Sequence, residues 1–398
     1  MRRAIAAAVV ALALSAADAW AQEGLWEKYM AAGAESLARG QYADAEKMWV
    51  AARKEAESFG PDDVRLGATL ANLSELYRRQ GKVPAAGWLA RKALAITKKR
   101  AGSRHPQVAT ILNNLATLYA TEGRYGDAEK LFRRALVLRE RTLGSDSLEV
   151  AASLDNLALL YHDGRHAQDA EALHRRALAI REKELGRKNP AITTSLAHLA
   201  SLYVDEGKYA DAEDALRRIL NVREMGLGRV HPDVAETLDA LADLYRRQGK
   251  AAQAEPLYAR SLAIREKAFG QDNPAVVAGL DAAASFYEEQ GKFTDAEALY
   301  RRRVGIAEKN GGNDAQTVQS LEALAEVLRK QGKFGEAESV YKRALVLQEK
   351  VHGADHPTVA ALLEDYAVLL HQMGREQDAT PLETRAKAIR NAPQAPGS

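Results

Sequence analysis

Glycine returns through this chain with a step of about 42 residues, and that period leaves few folds open. Gly40, Gly81, Gly123, Gly207, Gly249, Gly291, Gly332 and Gly374 are separated by 41, 42, 84, 42, 42, 41 and 42 residues, the 84 spanning a unit whose Gly164 sits one place early. A second series, Gly60, Gly102, Gly144, Gly186, Gly228, Gly270, Gly312 and Gly353, keeps the same step. Two glycines per period imply two helices per period, because glycine readily supplies the left-handed residue that closes a helix. Nine units follow. A chain of 398 residues would otherwise suggest two or three globular domains, but repeats that pack only on their neighbours form one array.

The spacing inside each unit agrees. Leu112, Leu115, Ala116 and Tyr119 stand at i, i+3, i+4 and i+7, one face of an α-helix, and the frame returns as Leu70, Leu73, Ser74, Tyr77 and as Leu238, Leu241, Ala242, Tyr245. In the second helix Ala128, Phe132 and Ala135 match Ala170, His174 and Ala177, and then Ala254, Tyr258 and Ser261. His105-Pro106, Asn189-Pro190, His231-Pro232, Asn273-Pro274 and His356-Pro357 precede first helices, where proline loses no hydrogen bond. Their regular return makes these histidines helix boundaries, not catalysts. Pro256 and Pro381 are expected in the first turn of their second helices. Glu129 with Arg133, Glu171 with Arg175, Glu213 with Arg217 and Glu297 with Arg301 are four apart and read as pairs on a solvated outer face.

Charge and composition exclude several function classes. The 56 basic and 54 acidic side chains nearly cancel, so no net field draws the chain to nucleic acid. Cysteine is absent, which removes disulfides, thiolate metal sites and cysteine nucleophiles. No phosphate-binding glycine loop, His-Glu-x-x-His or Gly-x-Ser-x-Gly occurs, and the carboxylates are dispersed by the repeat, so no catalytic residue is nominated. His162 and His166 beside Asp163 are the one metal-like spacing, but Gly164 separates them and a third ligand is not evident; no metal and no cofactor are expected. Arg2 and Arg3, the apolar run Ala4 to Ala17 and Ala19-Trp20-Ala21 read as a secretory signal over 1–21, with a repeat array over 22–390 and a disordered tail over 391–398. The expected location is therefore outside the cytoplasm, in a bacterial periplasm or secreted. The apolar run is too short to span a bilayer, and membrane insertion is not expected.

The recurring Leu-x-x-Leu-Ala-x-x-Tyr, the small and aromatic positions of the second helix, and Asn-Leu-Ala, Asp-Ala-Glu and Leu-Gly-x-x-His-Pro resemble the tetratricopeptide repeat of the 42-residue kinesin light chain type, over about Leu25 to Arg390. The resemblance implies an all-α solenoid of nine stacked helix-turn-helix repeats in a right-handed superhelix, with first helices lining a concave groove. It also implies that Asn72, Asn114, Asn156 and His198, in successive units, face the groove and bond the backbone of an extended peptide, with Thr117 beside them. The family's clamp for a C-terminal carboxylate needs basic residues where this chain has Ala68, Thr110, Ala152 and Thr194. Further along, Glu236, Asp239, Asp243, Asp281, Glu288, Glu289, Glu322, Glu326, Glu364 and Asp365 make the same face acidic, with Arg78, Arg79, Arg246 and Arg247 as local positive points. An acidic stripe favours a basic ligand. The expected function is a non-catalytic scaffold that binds an extended, basic segment of another protein. The alternative is a regulatory or targeting subunit of an envelope enzyme, docking through Arg133, Arg134, Arg175 and Arg176 on the outer face.

Overall fold

The computed structural model describes residues 23–163, 167–312 and 314–391. The expected signal over 1–21 and His166 lie outside them, as does the expected tail except for Asn391, which closes the last helix. Among the described residues the fold is all-α: eighteen α-helices in nine pairs, with one short 3-10 turn at Pro274–Val276 and no strand. They divide into two compact units, Met1–Leu202 and Tyr203–Ser398, and the division falls within a helix.

The first unit holds α1 (23–38), α2 (Tyr42–Ser58), α3 (Val64–Arg79), α4 (Val83–Ala101), α5 (Pro106–Thr121), α6 (Tyr125–Leu143), α7 (Leu148–Asp163), α8 (Ala167–Leu185) and most of α9 (Ile192–Asp205). The second holds α10 (Tyr209–Leu227), α11 (Pro232–Arg247), α12 (Ala251–Phe269), α13 (Val277–Glu289), α14 (Phe293–Lys309), α15 (Ala315–Lys330), α16 (Phe334–His352), α17 (Pro357–Gln372) and α18 (Glu376–Asn391). Among the described residues no helix is long and apolar enough to cross a membrane.

Both expected helix ends are present. Gly123 closes α5 at φ 74 and Gly144 closes α6 at φ 88, conformations that a side chain would strain. At the other end the imidazoles do more than precede a proline. Nδ1 of His105, His231 and His356 accepts the N–H of Gln107, Asp233 and Thr358 at 3.3, 3.2 and 3.3 Å, filling the N-cap role usually given to Asn or Asp. The two prolines are placed differently from expectation. α12 starts at Ala251 and α18 at Glu376, so Pro256 and Pro381 fall in the second turn and each withholds the amide that Ala252 or Gln377 would otherwise accept.

Packing follows the repeat. One repeat position near the start of every second helix holds an alanine (Ala45, Ala86, Ala128 and Ala170 in the first unit, Ala212, Ala254, Ala296, Ala337 and Ala379 in the second) that is fully buried at 0% exposure. That is where backbones approach too closely for a larger side chain. Two polar staples join successive pairs. Tyr77 and Tyr161 donate to Glu46 and Glu129 of the preceding second helix at 2.8 Å each, and Tyr245 and Tyr366 donate to Glu213 and Glu338 at 2.9 and 3.1 Å. Glu129 and Glu213, read from the sequence as partners of an outer arginine, thus also hold the next unit. The other staple is an arginine one period apart: Arg139 reaches Ser153 Oγ at 2.8 Å and Glu149 O at 2.9 Å, Arg181 reaches Ser195, and Arg223 reaches Thr237 Oγ1 at 3.0 Å. At the fourth, Arg265, the hydroxyl position is Gly279, and the guanidinium pairs with Asp239 at 2.7 Å.

Candidate functional site

In the first unit the asparagine series does not behave uniformly. Asn72 on α3 and Asn114 on α5 are half-buried and make no side-chain hydrogen bond among the described residues. Asn156 on α7 donates to Asn113 Oδ1 at 3.1 Å, bridging adjacent first helices. An amide has two donors and an acceptor oxygen, so this bridge leaves capacity for a further partner. Thr117 bonds Asn113 O at 3.1 Å within its own helix. Together Thr117, Thr121, Asn156, Leu159 and Leu160, with Phe132 beneath, line a cleft of about 260 Å³ between α5 and α7. Arg78 is not a free positive point: it forks onto Glu75 at 2.8 and 2.7 Å, and Arg79 shares that carboxylate at 2.8 Å. Burial alone would push Glu75 up, but the two arginines outweigh it and hold its carboxyl below the ordinary value.

His198 departs from its expected role. Its Nδ1 is buried and turned toward Asp155 Oδ1 at 3.9 Å, too long for a hydrogen bond, and its ring lies 5.0 Å from that of His174. His174 Nδ1 meets the same oxygen at 2.7 Å, while the other Asp155 oxygen pairs with Arg181 and takes the Ser195 hydroxyl at 3.2 Å. Burial works to raise Asp155, but His174, His198 and the Arg181 guanidinium hold its carboxyl far below the usual carboxylate range. Sequence reading missed this cluster because its members lie on three helices, although the departure of both histidines from the repeat was visible.

On the second unit the first helices carry carboxylates of two kinds. Asp243 accepts Tyr258 Oη at 2.6 Å and pairs with Arg246 at 3.2 Å, and Arg246 also meets Glu289 at 2.5 Å. Glu288 and Glu326 likewise hold Lys330 and Arg329. The expected positive point at Arg246 is therefore compensated. Asp239, Asp281, Glu322 and Asp365, on α11, α13, α15 and α17, are under-compensated. Burial raises all four above their ordinary values. Arg265 and Arg303 offset this incompletely at Asp239 and Asp281, and Glu322 and Asp365 repel their acidic neighbours. Arg303 Nε stands 3.0 Å from Asp281 Oδ1 but out of hydrogen-bond alignment, and Asp239 Oδ1 is buried without a partner.

The outer surface of the first unit carries a cleft of about 620 Å³ over Val137 and Leu138, rimmed by Arg104, Arg133, Arg134 and Arg141. Arg133 pairs with Glu129 at 2.8 Å, and Arg175 and Arg176 with Glu171 and Glu140 at 2.8 and 2.7 Å. Arg104, Arg134 and Arg141 have no carboxylate partner among the described residues. Burial, with Arg134 nearby, lowers the pKa of Lys98.

Comparison with known proteins agrees with this architecture. Family models described as tetratricopeptide repeat match residues 66–107 and, in overlapping segments, 89–392. No curated protein matches. Among solved structures, BtubC (BKLC) from P. vanneervenii is 28% identical over 55% of this chain and 87% of its own, with a TM-score of 0.47. Aspartyl phosphate phosphatase F from Bacillus subtilis is 16% identical over 94% of this chain and 96% of its own, with a TM-score of 0.51. A signal transduction ATPase with a tetratricopeptide repeat sensor from Pyrococcus horikoshii is 15% identical over 92% of this chain and 52% of its own, with a TM-score of 0.58. At such identities the last two carry the fold alone. With family matches running from residue 66 to residue 392 over helix pairs of constant period, the chain belongs to the tetratricopeptide repeat proteins, whose arrays generally mediate protein–protein interactions.

Proposed function

We propose that this protein is a non-catalytic adaptor that binds an extended segment of another protein along its first-helix faces, and that the second unit selects a basic segment. The observation that carries the reading is the set Asp239, Asp281, Glu322 and Asp365, one on the first helix of each of four successive pairs, all raised by burial. A carboxylate whose charged form is disfavoured gains when a ligand cation arrives. A lysine- and arginine-rich peptide should therefore bind, measured by fluorescence anisotropy, and binding should tighten as pH rises through the upper carboxylate range, because the peptide favours the ionised forms. Glu322→Gln with Asp365→Asn should weaken binding about tenfold, or ~1.4 kcal/mol. Equal affinity for the double variant would sink the proposal. In the first unit, Asn114, with no internal partner among the described residues, is the best candidate to meet a peptide backbone.

A second reading is favoured by the arginine-rimmed cleft over Val137. An acidic segment of a larger assembly docks there, on the outer face, and the adaptor targets or regulates that assembly. A glutamate-rich peptide with one leucine should bind the wild type in the same assay. Arg134→Glu with Arg141→Glu should abolish the signal, and indifference to this reversal would reject the reading.

A further inference from the structure

We propose that Asp155, His174 and His198 bind one divalent d-block cation of the zinc class, through two imidazole nitrogens and one carboxylate oxygen. The three residues lie on α7, α8 and α9, all within the first unit, and their ligand atoms fall within 4.8 Å of one another.

The repeat shows which of these residues need a separate explanation. The slot of His174 holds Phe132, Tyr258 and Tyr300 in other units, aromatic side chains that pack between helices, the two tyrosines also donating to Asp243 and Glu288. The slot of His198 holds Asn72, Asn114 and Asn156 in the preceding ones. Both histidines are thus departures, they occur in adjacent units, and they converge on one carboxylate oxygen. Asp155 is not distinctive by itself, since Asp239 and Asp281 share its slot. Arg181 is explained without a site: it is one of the stapling arginines, with Arg139, Arg223 and Arg265 at the same place in their units. It takes the carboxylate oxygen facing away from the imidazoles, and with Ser195 it anchors the ligand from behind, as outer-sphere partners of metal carboxylates do.

The distances suit a small tetrahedral ion. Ligand bonds of ~2.05 Å place neighbouring donors ~3.3 Å apart. Asp155 Oδ1 stands 2.7 Å from His174 Nδ1 and 3.9 Å from His198 Nδ1, so each gap needs to change by about 0.6 Å. An ion between them also supplies what the protein alone does not, a partner for the buried His198 Nδ1. The donor set of two imidazoles and one carboxylate excludes calcium and magnesium, which prefer oxygen donors throughout, and fits zinc or cobalt with water in the fourth position. Access comes from the side of His198, whose side chain is 28% exposed against 2% for His174 and 5% for Asp155.

The test is titration of the chelator-treated full chain with cobalt chloride, followed by zinc. A tetrahedral cobalt spectrum saturating at one ion per chain and bleached by zinc is the expected result. His174→Phe and His198→Asn each install a residue that the same slot already holds elsewhere in the array, so helicity by circular dichroism should be retained. Each should lose the visible bands and at least about tenfold in zinc affinity by competition with a chromophoric chelator. His231→Asn, at a helix cap in the other unit, should bind like the wild type. No saturable cobalt uptake by the wild type, or retention of the bands in either cluster variant, would overturn the proposal and leave a hydrogen-bonded His–Asp–Arg network only.

Discussion

Asp155→Ala should lower the free energy of unfolding by about 3–5 kcal/mol, the usual loss when one partner of a buried ion pair is removed and the other stays. The variant leaves Arg181, only 12% exposed, facing an apolar side chain with the Ser195 hydroxyl as its other partner, and it strips His174 of its acceptor. Asp155→Asn keeps an acceptor oxygen for Arg181 but loses the charge, so its cost should be smaller, about 1–3 kcal/mol. His198→Asn should cost least, because its Nδ1 makes no hydrogen bond to lose. Urea unfolding of metal-free protein followed by circular dichroism gives this ranking. A loss below about 1 kcal/mol for Asp155→Ala would mean that the site relaxes enough to hydrate Arg181. Because repeat arrays can unfold in stages, the comparison holds only while the slope against urea is shared among the variants.

The second large effect is on pH dependence and lies in the other unit. Burial works to raise Glu297, but Lys333, Arg301 and Gln331 overcome it and bring its carboxyl down to about 2. Glu338 is brought to about 2 by hydrogen bonding to Lys342, against burial, with Arg375 and Tyr366 adding to it. The unfolded chain takes up these protons near the ordinary glutamate value of 4.5, the folded chain only near 2. Their stabilisation is therefore complete above about pH 4.5 and is lost as pH falls toward 2. Asp239, Asp281, Glu322 and Asp365 act in the opposite sense, since their folded values are raised: stability declines as pH rises through the range just above the ordinary carboxylate value. Glu297→Gln should flatten the acid limb and cost about 1–3 kcal/mol at neutral pH, because three donors lose a charged acceptor. Glu322→Gln should flatten the upper limb and cost nothing at neutral pH. Thermal melts between pH 2 and 8 separate the two, and an unchanged acid limb in Glu297→Gln would contradict the assignment.

Much of the helix architecture was legible because each signal was repeated. A single Leu112-Leu115-Ala116-Tyr119 frame is weak; its return, with drift, between the turn glycines of successive units is not, and the pairing of helices followed from the two glycine series. The histidine-proline pairs were correctly read as boundaries, though the capping role of the imidazole depends on a rotamer. The candidate face was less legible. Arg78 and Arg246 looked like positive points until their pairing with Glu75, Asp243 and Glu289 was visible, and that pairing is set by which rotamers share a helix surface. Pro256 was misplaced because proline tolerance in a helix depends on where the helix starts, and Lys250 to Gln253 carry no strong start signal.

The period, the all-α class, the small buried residue of every second helix and the acidic drift of the later first helices are all written along the chain. These are properties that a one-dimensional repeat states many times. Which charges are neutralised internally depends on the packing of the helices. That packing closed Arg78 and Arg246 within ion pairs, buried the stapling arginines Arg139 and Arg265, left Asp239 and Asp281 incompletely offset, and brought His174 and His198 to one oxygen of Asp155. Solvation and Coulomb energy depend on distances of a few ångströms between different helices, whereas helix and turn formation depend on neighbours along the chain.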